Sequence, residues 1–311
     1  MVTFQGDPRE VYCSALSLQH EEELYGTASR VEVFFLLEYN GSWGAKAFEE
    51  SDLPERVKDH VSQAINKIPH SKILFIKNYD SPPEPGFRFY TAVAQDNNPV
   101  LYQYHLETYA DLLVLDLVEI AAGKGEARQH RSKEHLFTVC TNGRRDLCCA
   151  KFGLPFFREM SNDEVSVWQS SHVGGHRFAA NVFYFPYGIL SGRLEVGKAR
   201  QLVETFQRGQ LDLNHYRGRA SYPKVAQAAE YHLRCQTGVL GLDAFRLQAT
   251  QELAPERWMV RFVSRQDQSE HTLKIVREDT GKKTRSSCIG DKQTPVIRYH
   301  LEEYTHQDGT A

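Results

Sequence analysis

Long apolar runs are missing from this sequence of 311 residues, and its first residues lead us to expect no targeting segment. The most apolar stretch, residues 110–123 (ADLLVLDLVEIAAG), is interrupted by Asp116 and Glu119 and falls short of the roughly 18 apolar residues of a membrane span. Residues 1–24 hold no basic segment followed by an apolar one, which a secretory signal requires. We therefore expect a cytoplasmic protein with no membrane partner.

An excess of basic charge is also missing. The 37 Lys and Arg residues are balanced by 40 Asp and Glu residues, for a net charge of −3. Because nucleic-acid binders usually carry a strong basic excess, this balance argues against a nucleic-acid partner. The 41% hydrophobic and 25% charged residues are ordinary for a globular protein, and the length allows two or three domains.

Several catalytic motifs are absent as well. No C-x-x-C pair is present for thioredoxin-type dithiol exchange, and no G-x-S-x-G elbow for a hydrolase. The glycine-containing stretches GKGEAR and GRRDLC lack the Lys-Ser/Thr of a phosphate-binding loop. These reaction classes are therefore disfavoured.

The order of predicted elements indicates an α/β (α+β) fold. A buried strand at 31–39, an amphipathic helix at 51–68 and three further strands have the order of a thioredoxin-like unit. A polar linker at 121–134 precedes a second series of strand, loop, short helix, strand and hairpin. We expect thioredoxin-like units at 1–122 and 123–217. A small α+β extension at 218–311 follows, with strands around a turn-like DTGKK.

Two cysteines and two histidines in the second unit have the spacing of a metal site. Cys140 ends a predicted strand, Cys149 follows across a polar loop, His172 ends the next strand, and His176 lies four residues further on. Such a Cys₂His₂ set suits tetrahedral Zn²⁺ or a [2Fe–2S] cluster with mixed ligands. Spacing alone leaves both open. Three other cysteines, Cys13, Cys235 and Cys288, have no partner at ligand spacing and are expected to be inert thiols.

The glycines between the two histidines fit a ligand loop. Gly174 and Gly175 can adopt positive φ and allow backbone N–H groups close to bridging sulfides.

Residues 139–153 (VCTNGRRDLCCAKFG) and 170–194 (SSHVGGHRFAANVFYFPYGILSGRL) together resemble the sucrase/ferredoxin-like family, whose fungal members include the Apd1 type. Residues 24–28, 34–48 and 51–57 resemble its N-terminal half. The resemblance implies a thioredoxin-like ferredoxin domain that holds a [2Fe–2S] cluster. The name "sucrase" finds no support in a pair of carboxylates of the glycosidase kind.

Carried over to this chain, the resemblance implies that Cys140 and Cys149 bind one iron and that His172 and His176 bind the other. Arg145 and Asp146 match the family's Arg-Asp pair and would lie around the cluster rather than bind it. Two departures stand out. Asn142 occupies a position where the family pattern has His, and Cys148 next to Cys149 leaves the second cysteine ligand a choice, for which the following AKFG favours Cys149.

We therefore expect a one-electron carrier with one [2Fe–2S] cluster, rather than an enzyme acting alone, that exchanges electrons with a donor or acceptor protein of unknown identity. Two alternatives remain at this point. A Cys₂His₂ zinc site would make the protein a structural interaction module, and an oxidoreductase would use the cluster as an electron relay to a substrate.

Overall fold

A computed structural model describes residues 12–78, 85–95, 98–161 and 165–309 of the chain. The α-helices in these ranges are α1 (Cys13–Gln19), α2 (Glu55–Lys67), α3 (Leu117–Ala121), α4 (Leu147–Met160), α5 (Ala199–Gln207) and α6 (Lys224–Thr237). The first strands are β1 (Val33–Glu38), β2 (Ser71–Lys77), β3 (Phe87–Val93), β4 (Val100–Leu106), β5 (Arg131–Ser132), β6 (Leu136–Cys140) and β7 (Ser166–Ser170). They are followed by β8 (Val182–Phe185), β9 (Ile189–Ser191), β10 (Tyr216–Arg219), β11 (Phe245–Ala254), β12 (Arg257–Ser264), β13 (Glu270–Arg285) and β14 (Gln293–Gln307). The fold is thus mixed α+β.

The large sheet has the strand order β10-β9-β8-β6-β7-β2-β1-β3-β4-β5. In its first half, β1 and β2 are parallel and joined through α2, and β3 and β4 follow as an antiparallel pair beside β1. The second half repeats this arrangement, with β6 and β7 parallel around α4 and with β8 and β9 antiparallel beside β6. The halves meet where β2 pairs antiparallel with β7, so their strands form one continuous sheet.

Side chains alternate between the two faces of each strand, and this alternation builds two kinds of core. In β1, Phe35 packs with α2, whereas Phe34 faces a core to which both halves contribute. Leu136 and Cys140 of β6 and Cys149 of α4 lie in that shared core. Full burial of a Phe side chain stabilises the fold by about 1.5–3 kcal/mol. The sheet therefore curls around a common interior, and Cys140 lies within it.

The second sheet is antiparallel, with the order β11-β12-β13-β14, and α6 packs against it. Residues 279–283 (DTGKK) were expected to form a turn, but they lie inside β13 at an irregularity of its pairing with β14. The positive φ of Gly281 (71°) belongs to this irregularity. The chain turns instead at 286–292, so the β13–β14 hairpin is long and its loop extends to α1 and α4.

Most predicted elements of the large sheet are confirmed, with two shifts at helix starts. Helix α2 begins at Glu55, directly after Pro54, rather than at Ser51 or Asp52. Helix α4 begins at Leu147 because the Asp146 side chain caps it by accepting from the Cys148 backbone N–H. Cys148 and Cys149 therefore occupy a helical turn and not the predicted loop.

One predicted domain limit lies between secondary-structure elements, and the other lies inside a strand. The limit at 122/123 follows α3, whereas the limit at 217/218 lies inside β10. The division into three domains stays a prediction. Over the described ranges, no helix combines the length and apolar character needed to cross a membrane.

Candidate metal centre

Two buried cysteines meet at the ends of β6 and α4. Cys140 is the last residue of β6 and is 1% exposed, and Cys149 lies in the first turn of α4 with no exposed surface. Gly153 allows this approach, because a Cβ at that position would lie 2.1 Å from the Cys140 carbonyl oxygen. Helix α4 therefore packs directly against the end of β6.

The histidines lie on the loop that follows β7. His172 comes two residues after the end of β7, and His176 begins a short 3₁₀ turn at His176–Phe178. Gly174 and Gly175 between them have φ of 102° and 67°, the left-handed region that glycine adopts without strain. The two imidazole rings lie with their centroids 5.0 Å apart.

A fully buried arginine holds this loop in place. Arg217 of β10 donates from Nη1 to the Gly174 carbonyl at 3.1 Å and to Asn181 Oδ1 at 2.8 Å. It also donates from Nη2 to the Thr27 carbonyl at 2.8 Å. A Cβ on Gly175 would lie 2.2 Å from Arg217 Nη2, so the glycine and the arginine fit each other. Burial lowers the pKa of Arg217 to about 9, which leaves it protonated at neutral pH.

Three of the predicted ligands converge. The sulfurs of Cys140 and Cys149 and a ring nitrogen of His172 all lie within 4.8 Å of one another, and Cys149 Sγ is 3.8 Å from His172 Nδ1. Hydrogen bonding from the Cys149 thiol and from His172 holds the pKa of Cys140 well below its usual range. The Cys140 thiolate and burial raise the pKa of Cys149. The pair therefore retains one proton, which a bound cation would displace.

His176 is the fourth predicted ligand and lies beside this group. Its Nε2 is within hydrogen-bond reach of the Ser286 carbonyl, in the β13–β14 loop, and 3.6 Å from Asp146 Oδ2. Its Nδ1 is buried and has no hydrogen-bond partner among the described residues. Burial lowers the pKa of His176, so the ring is neutral near pH 7. A neutral ring with an unused nitrogen is a suitable metal ligand.

A second group of thiols lies behind the first. Cys13, Cys148 and Cys288 converge with the carboxylate of Asp146, again with all ligand atoms within 4.8 Å. Neither Cys13 nor Cys288 has a partner at ligand spacing in the sequence, but the fold brings both to Cys148, because spacing along the chain says nothing about segments that only the fold brings together. Cys235 is exposed and belongs to neither group.

The residues expected around the centre differ in their surroundings. Asp146 is fully buried, and its Oδ2 accepts from the Cys288 backbone N–H at 2.7 Å and from the Ser287 hydroxyl at 2.8 Å. Arg145 is exposed, and its backbone N–H bonds to the Asn142 carbonyl at 3.2 Å. Asn142, which stands where His was expected, is buried and donates to the Gly44 carbonyl at 3.0 Å.

Sequence reasoning missed three contributors to this region. Arg217 and Ser286 come from distant segments, and no local pattern marks them. Lys72 donates to the His172 carbonyl at 3.0 Å, and burial lowers its pKa. Its position next to the apolar centre of the strand SKILFIK was the available signal.

Comparisons with known proteins bear on the family of this chain. A protein named "Altered inheritance of mitochondria protein 32" from the yeast Meyerozyma guilliermondii is 31% identical over 97 residues, which is 27% of this chain and 34% of that protein. The alignment thus spans about a third of the relative's length. No solved structure gives a significant match. The family model described as sucrase/ferredoxin-like matches residues 24–218, which include Cys140, Cys149, His172 and His176. With more than half of its length and its whole candidate centre inside that match, the chain belongs to the sucrase/ferredoxin-like family.

Proposed function

We propose that this protein is an iron–sulfur electron-transfer protein that holds one [2Fe–2S] cluster through Cys140, Cys149, His172 and His176. One observation carries the proposal. Two buried sulfurs and an imidazole nitrogen converge within 4.8 Å at the ends of adjacent elements, with a second imidazole beside them. Among the residues that the structure describes, the buried Nδ1 of His176 has no hydrogen-bond partner, and a bond to a metal would remove the energetic cost of leaving it unpaired. The donor set therefore fits the cluster.

The geometry supports Cys149 rather than Cys148 as the second cysteine ligand. Although the two are adjacent, their side chains leave the first turn of α4 in different directions. Cys149 lies with Cys140 and His172, whereas Cys148 lies with Cys13 and Cys288.

The surrounding hydrogen bonds prepare His176 for ligation. Because a carbonyl oxygen only accepts hydrogen bonds, the contact with Ser286 implies that the His176 ring proton is on Nε2. The lone pair of Nδ1 is then available to bind a metal. The Nδ1 of His172 faces the Cys149 sulfur at 3.8 Å, which supports the same ring nitrogen there. The Arg217 bonds to the Gly174 carbonyl and Asn181 hold the loop between the two rings.

When bound, such a cluster supplies one-electron transfer, at a higher potential than an all-cysteine cluster because neutral imidazoles replace two thiolates. The chain's own contribution is to bury the two cysteines, orient the two histidines and hold a proton at Nε2 of His176. Each half of the large sheet also has the parallel strand-helix-strand unit and antiparallel pair of a thioredoxin-like unit, which supports two such units.

An oxidoreductase with the cluster as a relay is the second candidate, favoured by a cavity of about 490 Å³ that begins right after Cys140. Thr141 and Asn142 line it, together with the basic side chains of Lys77, Arg144 and Arg158. This lining suits an anionic substrate, or an acidic segment of a redox partner.

The visible spectrum of protein purified without oxygen tests the proposal. We expect a coloured sample that contains iron and sulfide in equal amounts and is bleached by dithionite. Cys149→Ser and Cys140→Ser should abolish the colour, whereas Cys148→Ser and the exposed-cysteine control Cys235→Ser should retain it. A colourless protein that holds zinc through Cys140 and Cys149 would refute the proposal and support the structural zinc alternative.

The cytosol remains our proposed compartment. Because the yeast relative's name refers to mitochondria, cell fractionation should score the protein against both cytosolic and mitochondrial markers. Recovery with the mitochondrial marker would overturn this assignment.

A further inference from the structure

Three thiols from distant parts of the chain meet at a point that the cluster does not use. Cys13 is the first residue of α1, Cys148 lies in the first turn of α4, and Cys288 lies in the β13–β14 loop. The sulfur of Cys148 is 3.5 Å from that of Cys13 and 3.3 Å from that of Cys288, and the third side of the triangle is 3.5 Å. The three sulfurs therefore form a nearly equilateral triangle.

A buried carboxylate completes the group. Asp146 Oδ1 lies 3.8 Å from the Cys13 sulfur, and Asp146, Cys13 and Cys148 have no exposed surface. Three sulfurs and one carboxylate oxygen make a four-donor set with no position left for a substrate.

We propose that Cys13, Cys148, Cys288 and Asp146 form a structural zinc site. Zinc takes four ligands in tetrahedral geometry with Zn–S bonds of about 2.3 Å, which places the sulfurs about 3.8 Å apart. The observed separations need to widen by only a few tenths of an ångström. The carboxylate favours Zn²⁺ over Cu⁺, which prefers sulfur ligands alone.

A disulfide fits the same atoms less well. It would require two sulfurs to approach to about 2.05 Å and would leave the third thiol and the carboxylate outside the bond. The triangle is symmetric, with no pair selected by a distinctly shorter distance. Convergence of all three sulfurs is the arrangement that a central cation needs.

Hydrogen bonds from neighbouring groups reach the sulfurs and the carboxylate of this site, as they do around metal ligands. The Cys13 backbone N–H donates to the Cys288 sulfur at 3.3 Å, and the Ser14 hydroxyl lies 3.4 Å from the Cys148 sulfur, where it can donate to a thiolate. Asp146 Oδ2 accepts from the Cys288 N–H and the Ser287 hydroxyl, which orients Oδ1 toward the thiols. Such outer hydrogen bonds typically accompany bound metals.

The consequence is a crosslink next to the cluster site. The loop that carries Cys288 also carries Ser286, whose carbonyl meets His176. Zinc would fix this loop to α1 and α4 and so hold the outer side of the His176 ring. The inference does not depend on the proposed function, because it uses none of the four cluster ligands.

Metal analysis of the full chain, purified without added metal, tests the site. We expect one zinc ion per chain in addition to iron. Cys13→Ser and Cys288→Ser should each lower zinc affinity at least tenfold while iron content persists, and Cys235→Ser should leave zinc unchanged. Cys140→Ser should do the opposite, losing iron and keeping zinc.

Cobalt provides a readout that does not require the variants to fold. In wild-type protein whose zinc has been removed, added Co²⁺ should give an intense sulfur-to-cobalt charge-transfer band that zinc abolishes. Zinc-free wild-type protein without such a band overturns the site, as does a disulfide between any two of Cys13, Cys148 and Cys288 found by mass spectrometry after alkylation. Zinc that persists in Cys13→Ser but is lost in Cys140→Ser would place the metal at the other centre, which refutes both this inference and the proposed cluster.

Discussion

A buried ion network at the boundary predicted between residues 217 and 218 offers a quantitative test of the fold. Glu230 of α6 is 1% exposed and accepts from Arg234 Nη2 at 2.8 Å, from Arg219 Nη2 at 3.4 Å and from the Tyr216 hydroxyl at 2.6 Å. Tyr216 and Arg219 belong to β10, an edge of the large sheet, so the network joins that sheet to α6.

The substitution Glu230→Gln preserves the shape of the side chain and removes its charge. Burial by itself would raise the pKa of Glu230, but the two guanidinium groups and the hydrogen bonds outweigh it and lower this pKa from 4.5 to about 2. A difference of that size corresponds to about 3 kcal/mol of stability at pH 7. Removing one partner of a buried ion pair typically costs about 3–5 kcal/mol, which agrees.

The pH dependence has a definite sign. Because folding lowers this pKa, the contribution is fully present above about pH 4.5 and is lost as the pH falls toward 2. In urea titrations followed by circular dichroism, Glu230→Gln should lower the free energy of unfolding by about 3 kcal/mol at pH 7 and by only about 1 kcal/mol near pH 3.

The matched control is Glu204→Gln, which removes an exposed carboxylate that pairs with Arg200 at 2.9 Å on α5. An exposed pair of this kind contributes about 0.3–0.5 kcal/mol. A Glu230→Gln loss below about 1 kcal/mol at pH 7, or one that stays constant down to pH 3, would refute the reasoning.

Three further predictions concern the proposed metal centre. Gly153→Ala should destabilise the protein by about 1–3 kcal/mol and impair retention of the proposed cluster, because the new Cβ would strike the Cys140 carbonyl. This loss is expected although Ala normally favours a helix over Gly. A higher melting temperature of the variant in thermal melts would contradict the packing. Arg217→Lys should lower the free energy of unfolding by about 2–4 kcal/mol and accelerate the loss of cluster absorbance, since lysine cannot make several of the hydrogen bonds to Thr27, Gly174 and Asn181. Unchanged bleaching kinetics would show that the histidine loop does not depend on these hydrogen bonds. Because reduction raises the proton affinity of a ligand imidazole, the midpoint potential of the proposed cluster should fall by about 59 mV per pH unit between the histidine pKa of the oxidised state and the higher pKa of the reduced state. A potential that stays flat between about pH 6 and 10 in voltammetry would rule out a titrating ligand.

The sequence predicted most elements of the large sheet because their signals are local. Val57, Val61 and Ala64 recur at helical spacing and form the buried face of α2. The dense apolar run of β1 predicted a buried strand, and the structure shows that both faces of this strand are buried. The turn placed at DTGKK was wrong because pairing with β14 over a long hairpin outweighs the local preference of Gly281 for a turn.

At the candidate centre, too, the sequence predicted the local features and did not predict those that depend on long-range packing. The spacing of these four residues was visible in the sequence because each ends or follows a strand, or lies at the start of a helix, within one half of the large sheet: Cys140, Cys149, His172 and His176. The direction in which Cys148 and Cys149 point was not visible, since it depends on where the Asp146 cap begins α4.

By itself, then, the sequence predicted most elements of the large sheet, the family and a candidate set of donor atoms, because each depends on residues close together in the chain. Only the tertiary structure decided that β2 joins β7 in a single sheet and that Ser286 sets the ring proton of His176. It also decided that Cys13 meets Cys288 across 275 positions of sequence. Such contacts follow from the packing of whole elements around a shared core, and no local pattern encodes that packing.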